Sequence, residues 1–216
     1  MRTKTTLAAA AILAAGLLSS MAQANVYSLN IVGYVNVPVT SGKLALLANP
    51  LISSGGNYNI TNVLTLQNGS DGSTLFQWNK ATSSWNTVGW IDGFGWDTAA
   101  NLNLGQGFFL QPTLSQTVTF VGDVQTGTST NAIAGGLSLL GSKVPVAGPA
   151  PGSTVGNDGD TIFTWNSTAG AWVPNGFIGG FGWDSASING PVVNVADGFF
   201  YQNTGASLNW ITTLNP

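Results

Sequence analysis

Histidine, glutamate and cysteine are absent from this 216-residue chain, and arginine and methionine occur only within its first 24 residues. Those absences remove most catalytic designs. No Ser-His-Asp triad, thiol nucleophile or ordinary zinc site can be assembled without their bases and ligands. No disulfide is available to staple the fold. Charge is scarce as well, at 6% of residues. Beyond residue 24 the only bases are Lys43, Lys80 and Lys143 against eight Asp, so the balance is 3 − 8 = −5. Nucleic acid is therefore excluded as a partner, because phosphate binding needs a basic surface. The longest apolar run, residues 7–18, is shorter than the roughly 20 residues that cross a bilayer as a helix.

That run has a different meaning. Arg2 and Lys4 precede it and Ala22-Gln23-Ala24 follows it, the order of a secretory signal peptide cleaved after Ala24. The expected organisation is a signal peptide over residues 1–24, a first β-module over 25–125 and a second over 126–216. The expected location is secreted or cell-surface, the periplasm included, with no transmembrane anchor in the mature chain.

What the chain has in abundance is aromatic, glycine and uncharged polar residues, with 44% hydrophobic content and eight Trp. That content excludes disorder. One phrase is written twice. Residues 69–99 align without a gap on residues 156–186, and 16 of the 31 positions are identical, which marks an internal repeat. The shared residues include Phe76/Phe163, Trp78/Trp165, Asn79/Asn166, Trp85/Trp172 and Phe94-Gly95-Trp96-Asp97 against Phe181-Gly182-Trp183-Asp184. Gly107-Phe108-Phe109 then answers Gly198-Phe199-Phe200.

Short β-branched and aromatic runs between turn clusters predict an all-β chain of two tandem β-sandwich or small-barrel modules. Strands are expected over residues 26–39, 44–47, 74–79, 107–111 and 118–121, with counterparts in the second module. Hairpins are expected at residues 79–84 and 166–171. Residues 126–136, rich in Thr, Ser, Asn and Gly, read as a linker. Val121-Gly122-Asp123-Val124 echoes Val32-Gly33-Tyr34-Val35, so the strand near residue 120 is expected to serve both modules. Modules of this size bury little surface for their length, so the aromatic residues and a contact between modules should supply the missing burial.

The order Gly-x-x-x-Phe-x-Trp-Asn, Trp, Phe-Gly-Trp-Asp, Gly-Phe-Phe resembles a Gly/Asn/Trp-rich tandem β-module of secreted bacterial proteins. The resemblance implies export and a β-module and carries no site. Phe163-Thr164-Trp165-Asn166 leading to Trp172 also resembles a kelch repeat, but kelch units run at about 50 residues and this period is near 90.

Chemistry is left to Asp and Trp. Asp97-Thr98-Ala99 and Asp184-Ser185-Ala186 resemble the paired motif of aspartic proteases, whose carboxylates share a proton. Ala stands where that motif has Gly, so each Asp is expected to cap the turn that follows it. Calcium is the one cofactor the residues suit, at Asp71, Asp158 and Asp160 in oxygen-rich turns. Trp90 and Trp210, whose identities the repeat does not fix, are the candidate ligand-binding rings. Trp78, Trp96, Trp165 and Trp183 are expected in the core. The function these features indicate is an exported, non-enzymatic structural or adhesive protein of the cell surface or matrix, self-associating through its sheet edges. A pair of carbohydrate-binding modules recognising extracellular glycan is the alternative, and an aspartic hydrolase the third reading.

Overall fold

The computed structural model describes residues 31–151, 156–184 and 190–215. The signal-peptide residues, the expected start of the opening strand and Ser185-Ala186 lie outside them. The chain from Ile31 onward forms one unit. It is almost entirely antiparallel β, and no sheet among the described residues closes into a barrel.

The first half contains β1 (Val32–Val39), β2 (Ala45–Ala48), a one-turn helix α1 (Ile60–Val63), β3 (Thr74–Asn79), β4 (Ser84–Ile91), β5 (Gly95–Trp96), β6 (Gly107–Gln111) and β7 (Gln116–Asp123). The second contains β8 (Gly127–Ile133), β9 (Gly136–Gly141), β10 (Gly148–Pro149), β11 (Thr161–Asn166), β12 (Ala171–Ile178), β13 (Gly182–Trp183), β14 (Val192–Val193), β15 (Gly198–Asn203) and β16 (Leu208–Leu214). Strand order is β2-β6-β3-β4-β5 in one five-stranded sheet and β9-β15-β11-β12-β13 in the other. Each half adds a two-stranded ribbon, β1-β7 or β8-β16. The registers correspond as well: Trp78 faces Trp85 as Trp165 faces Trp172, and Phe76 faces Phe109 as Phe163 faces Phe200.

Two expectations about the ribbons need correction. The expected linker is strand β8, because Thr, Ser and Ile alternate there and Ser129 and Ile133 turn inward against β16. The strand near residue 120 does not serve both halves, since β7 pairs along its length with β1 and bridges at Asp123 to Ile52, both in the first half. The Val-Gly echo marks partners rather than openers: Gly33 faces Gly122 in that ladder. A side chain at Gly122 would place its Cβ 2.2 Å from the Ile52 carbonyl oxygen, so the chain can cross there only over glycine.

The five-stranded sheets are apolar on both faces. One face of the first packs Leu75, Val88, Trp90, Trp96, Phe108 and Leu110 against Val118 and Phe120 of its ribbon and against α1. The second half buries Ile162, Trp183, Phe199 and Tyr201 with Ile133 and Trp210 in the same way. The opposite faces of the two sheets meet each other through Leu46, Phe109, Leu139 and Phe200. Strand alternation produces this directly: in β3, Leu75 and Gln77 point to the ribbon while Phe76 and Trp78 point to the other half.

Candidate functional site

The contact between the halves is largely self-complementary, its indole, backbone and ring contacts being made once in each direction. The Trp165 indole N–H donates to the Leu44 carbonyl at 2.8 Å, and Trp78 donates to Leu137 at 3.3 Å. The Ala48 N–H donates to the Ala196 carbonyl at 2.8 Å, and Gly141 donates to Gly105 at 2.9 Å. Phe109 lies 5.3 Å from Trp165, and Phe200 lies 5.6 Å from Trp78, centroid to centroid and edge to face. Such ring pairs contribute about 0.5–1.5 kcal/mol each beyond their buried area. The relation is that of an isologous dimer interface within one chain. Its strictness fails at one point: a Cβ on Gly141 would lie 2.0 Å from that of Ala48, so only one half can carry alanine there.

The rings do not close over each other completely. Two aromatic-lined clefts among the described residues share Trp85 and Trp172. One, of about 360 Å³, is lined by Trp78, Trp85, Leu137, Phe163, Trp172 and Phe200, with Gln202 at its rim. The other, of about 320 Å³, is lined by Leu44, Phe76, Trp85, Phe109, Trp165 and Trp172. Apart from Gln202 the two sets are the same residues with the halves exchanged. Trp85 and Trp172 border both and remain 40% and 39% exposed. No charged side chain lines either cleft. Neighbouring rings meet at 55–89°, so the walls are edges and faces in alternation rather than one flat platform.

A second feature recurs in both halves. The turn after β4 closes with Phe94 N–H on the Ile91 carbonyl, and the turn after β12 with Phe181 on Ile178, both at 3.0 Å. Gly93, Gly95, Gly180 and Gly182 hold φ between 81° and 96°, a region that side-chain-bearing residues rarely adopt. Between those glycines Phe94 is 90% exposed and Phe181 81% exposed, each beside an exposed Ile91 or Ile178. The rest of the repeated Phe-Gly-Trp-Asp phrase is structural. Trp96 and Trp183 are buried. Asp97 accepts the Gly89 N–H at 2.9 Å, and Asp184 accepts that of Gly176 at 2.6 Å. The backbone returns the bond, from Asp97 N–H to the Gly89 carbonyl and from Asp184 N–H to that of Gly176. Both carboxylates therefore clasp the preceding strand, Asp97 in place of the expected cap on the turn that follows it, and each is engaged within its own half rather than in a shared dyad.

The candidate ligand-binding rings are corrected. Trp90 is 8% exposed and stacks edge-on to Trp96, and Trp210 is 7% exposed against Phe199. A Trp-to-Phe difference between the copies reflects packing there, with Phe177 holding the place of Trp90 against Trp183. Of the expected core rings, Trp96 and Trp183 lie in the ribbon-facing cores, whereas Trp78 and Trp165 are half-buried between the sheets. The signal that could have singled out Trp85 and Trp172 is the two-faced apolar pattern of the strands they pair with, which demands a second covering layer.

The residues named for calcium, Asp158 and Asp160 with Asp71 at the matching position, all accept hydrogen bonds within their own halves. Asp71 accepts the Asp92 N–H at 3.3 Å in the first half, and Asp158 accepts that of Gly179 at 2.7 Å in the second. Asp160 is fully buried, and both its oxygens are occupied. One accepts Thr204 N–H at 2.7 Å and its hydroxyl at 2.9 Å, and the other accepts Tyr201 OH at 2.7 Å and Asn157 N–H at 2.9 Å. Burial alone would raise its pKa, but these donors outweigh it and hold the carboxyl below its ordinary value. Burial, the hydrogen bond to Asp160 and its charge push the Tyr201 phenol well above the ordinary range. This is a structural network in which each carboxylate oxygen accepts at least two hydrogen bonds. Among the described residues no group of three or more metal-binding side chains converges, and no helix is long and apolar enough to cross a membrane.

No protein-family model matches the chain, and no curated protein or solved structure does.

Proposed function

We propose that this is an exported, non-enzymatic structural protein of the cell exterior that works by associating with itself. The observation that carries the reading is the presence of a projecting apolar turn in each half and of two uncharged aromatic clefts where the halves meet. A monomer that works alone rarely leaves both a large apolar projection and a large apolar recess uncovered. The low charge removes the usual protection against association. The residues that remain after export include no His, Glu or Cys, and Asp97 and Asp184 of the repeat are engaged in backbone clasps, which supports the non-enzymatic reading. The secretory leader read from Arg2, Lys4 and Ala22-Gln23-Ala24 supports the location.

Recognition of extracellular glycan is less well supported. Sugar hydroxyls need several hydrogen-bonding side chains around a flat ring, and the residues lining these clefts offer only Gln202 and the indole N–H groups of Trp85 and Trp172. Sedimentation of the mature protein across a wide concentration range tests the proposal. Reversible growth in size with concentration is expected, and a monomer throughout would refute it.

A further inference from the structure

The projecting turns and the aromatic clefts are complementary to each other. We infer that the Phe94 and Phe181 turns of one copy insert into the aromatic clefts of another, so that the assembly grows head to tail. This inference rests on the self-association proposed above and names its contact.

Size, polarity and charge all bear on the fit. A dry apolar cavity of about 150 Å³ holds a benzene ring, and these clefts are about 320 and 360 Å³, room for a benzyl side chain with the adjoining isoleucine. The guest side chains are apolar, and the walls are apolar apart from Gln202 and the indole N–H edges of the tryptophans, so docking desolvates few polar groups. The alternation of ring edges and faces suits a phenyl ring, which prefers tilted partners at about 4.5–7 Å.

Charge is distributed to match. Asp71, Asp92 and Asp97 surround the Phe94 turn, and Asp158 and Asp184 the Phe181 turn, through the hydrogen bonds that fix those loops. On the other side, Lys43 is exposed next to Leu44, which lines one cleft. Lys80 donates to the Ala134 carbonyl and to Ser138, beside Leu137 of the other cleft. Lys80 is thus held beside one recess, Lys43 adjoins a residue of the other in sequence, and five of the eight Asp flank the projections. Opposite charges around an apolar anchor set orientation and hasten encounter more than they add affinity.

The turn is built for the task. A hydrogen bond and two positive-φ glycines fix its backbone, so docking orders little that is not already ordered. A projection on one surface that fits a recess on another makes a heterologous contact, which propagates instead of closing. Two projections and two recesses per chain also permit branching.

Phe94→Asp and Phe181→Asp, singly and together, test the contact. Both positions are exposed, so the fold tolerates the changes, and near-ultraviolet circular dichroism should be unaltered. The double variant is expected to raise the concentration at half-assembly about tenfold or more, the loss expected for removing buried phenyl rings. Each single variant should fall between it and wild type. If wild type assembles and the double variant assembles equally well, the turn-in-cleft contact is wrong while self-association stands, through strand edges such as β1. If wild type stays monomeric at all concentrations, both are wrong.

Discussion

The two halves share strand order and register but solve one core position differently. In the second half Asp160 and Tyr201 lie fully buried, joined through the phenol hydroxyl. In the first half the corresponding residues are Ser73 and Leu110, also fully buried, and Ser73 accepts the Thr113 N–H at 2.9 Å where Asp160 accepts that of Thr204. The same turn is therefore tied down by a neutral hydroxyl in one copy and by an ionised carboxylate in the other. What both copies keep is the acceptor for one backbone N–H. What differs is free to vary only as a pair, because a buried charge needs its donors and a buried phenol needs an acceptor.

The largest effects should fall where the halves agree. Trp96→Ala and Trp183→Ala each remove a buried indole from equivalent sites, and each should cost about 3–5 kcal/mol in thermal or denaturant unfolding. A large inequality between them would show that the copies are not energetically equivalent.

Exchanging the differing pair comes next. Ser73→Asp alone buries a carboxylate without its phenol donor and should destabilise on the order of 3 kcal/mol. Adding Leu110→Tyr should return a substantial part of that loss, as expected for residues in contact.

The same pair predicts pH sensitivity at both extremes in the second half that the first half lacks. Asp160 has a depressed folded pKa, so its contribution is present above its unfolded value near 3.9 and is lost as pH falls through the folded value. Tyr201 has a raised one, so its contribution is complete below its unfolded value near 10 and is lost as pH rises beyond it. Amide exchange at Thr204 should accelerate at both extremes beyond intrinsic rates, while Thr113 in the first half should not follow.

Smaller effects test the junction and the clasps. Gly141→Ala should cost about 1–3 kcal/mol through collision with Ala48, and Ala48→Gly should relieve it in the double variant. Asp97→Asn and Asp184→Asn retain an oxygen for Gly89 and Gly176 and should cost less than about 1 kcal/mol each.

Much of this architecture is legible in the sequence, and the reasons are physical. The repeat, the hairpins at Asn79 and Asn166, and the central strands 107–111 and 198–202 are local signals of turn chemistry and alternation. The β8 strand was not legible as one because Thr, Ser and Asn suit turns and half-buried strands alike. Its partner β16 lies about 80 residues away, beyond any local signal. Ring exposure is likewise a tertiary outcome. Trp90 and Trp210 are singled out by variation between copies, whereas the open rings, Trp85 and Trp172, are identical in both copies and owe their exposure to how two sheets meet. The same holds for Phe94 and Phe181, whose identity in both copies reads as core until the two glycines beside each turn it outward.

Acrylamide quenching of tryptophan fluorescence across a concentration series tests the turn-in-cleft assembly most directly. Trp90, Trp96, Trp183 and Trp210 are buried in the monomer, so the quenchable signal belongs chiefly to Trp85 and Trp172 at the clefts. As the mature protein assembles, that accessible fraction should fall in wild type and persist in the Phe94→Asp, Phe181→Asp double variant. Assembly that leaves the accessible fraction unchanged in wild type would contradict occupation of the clefts by a second copy.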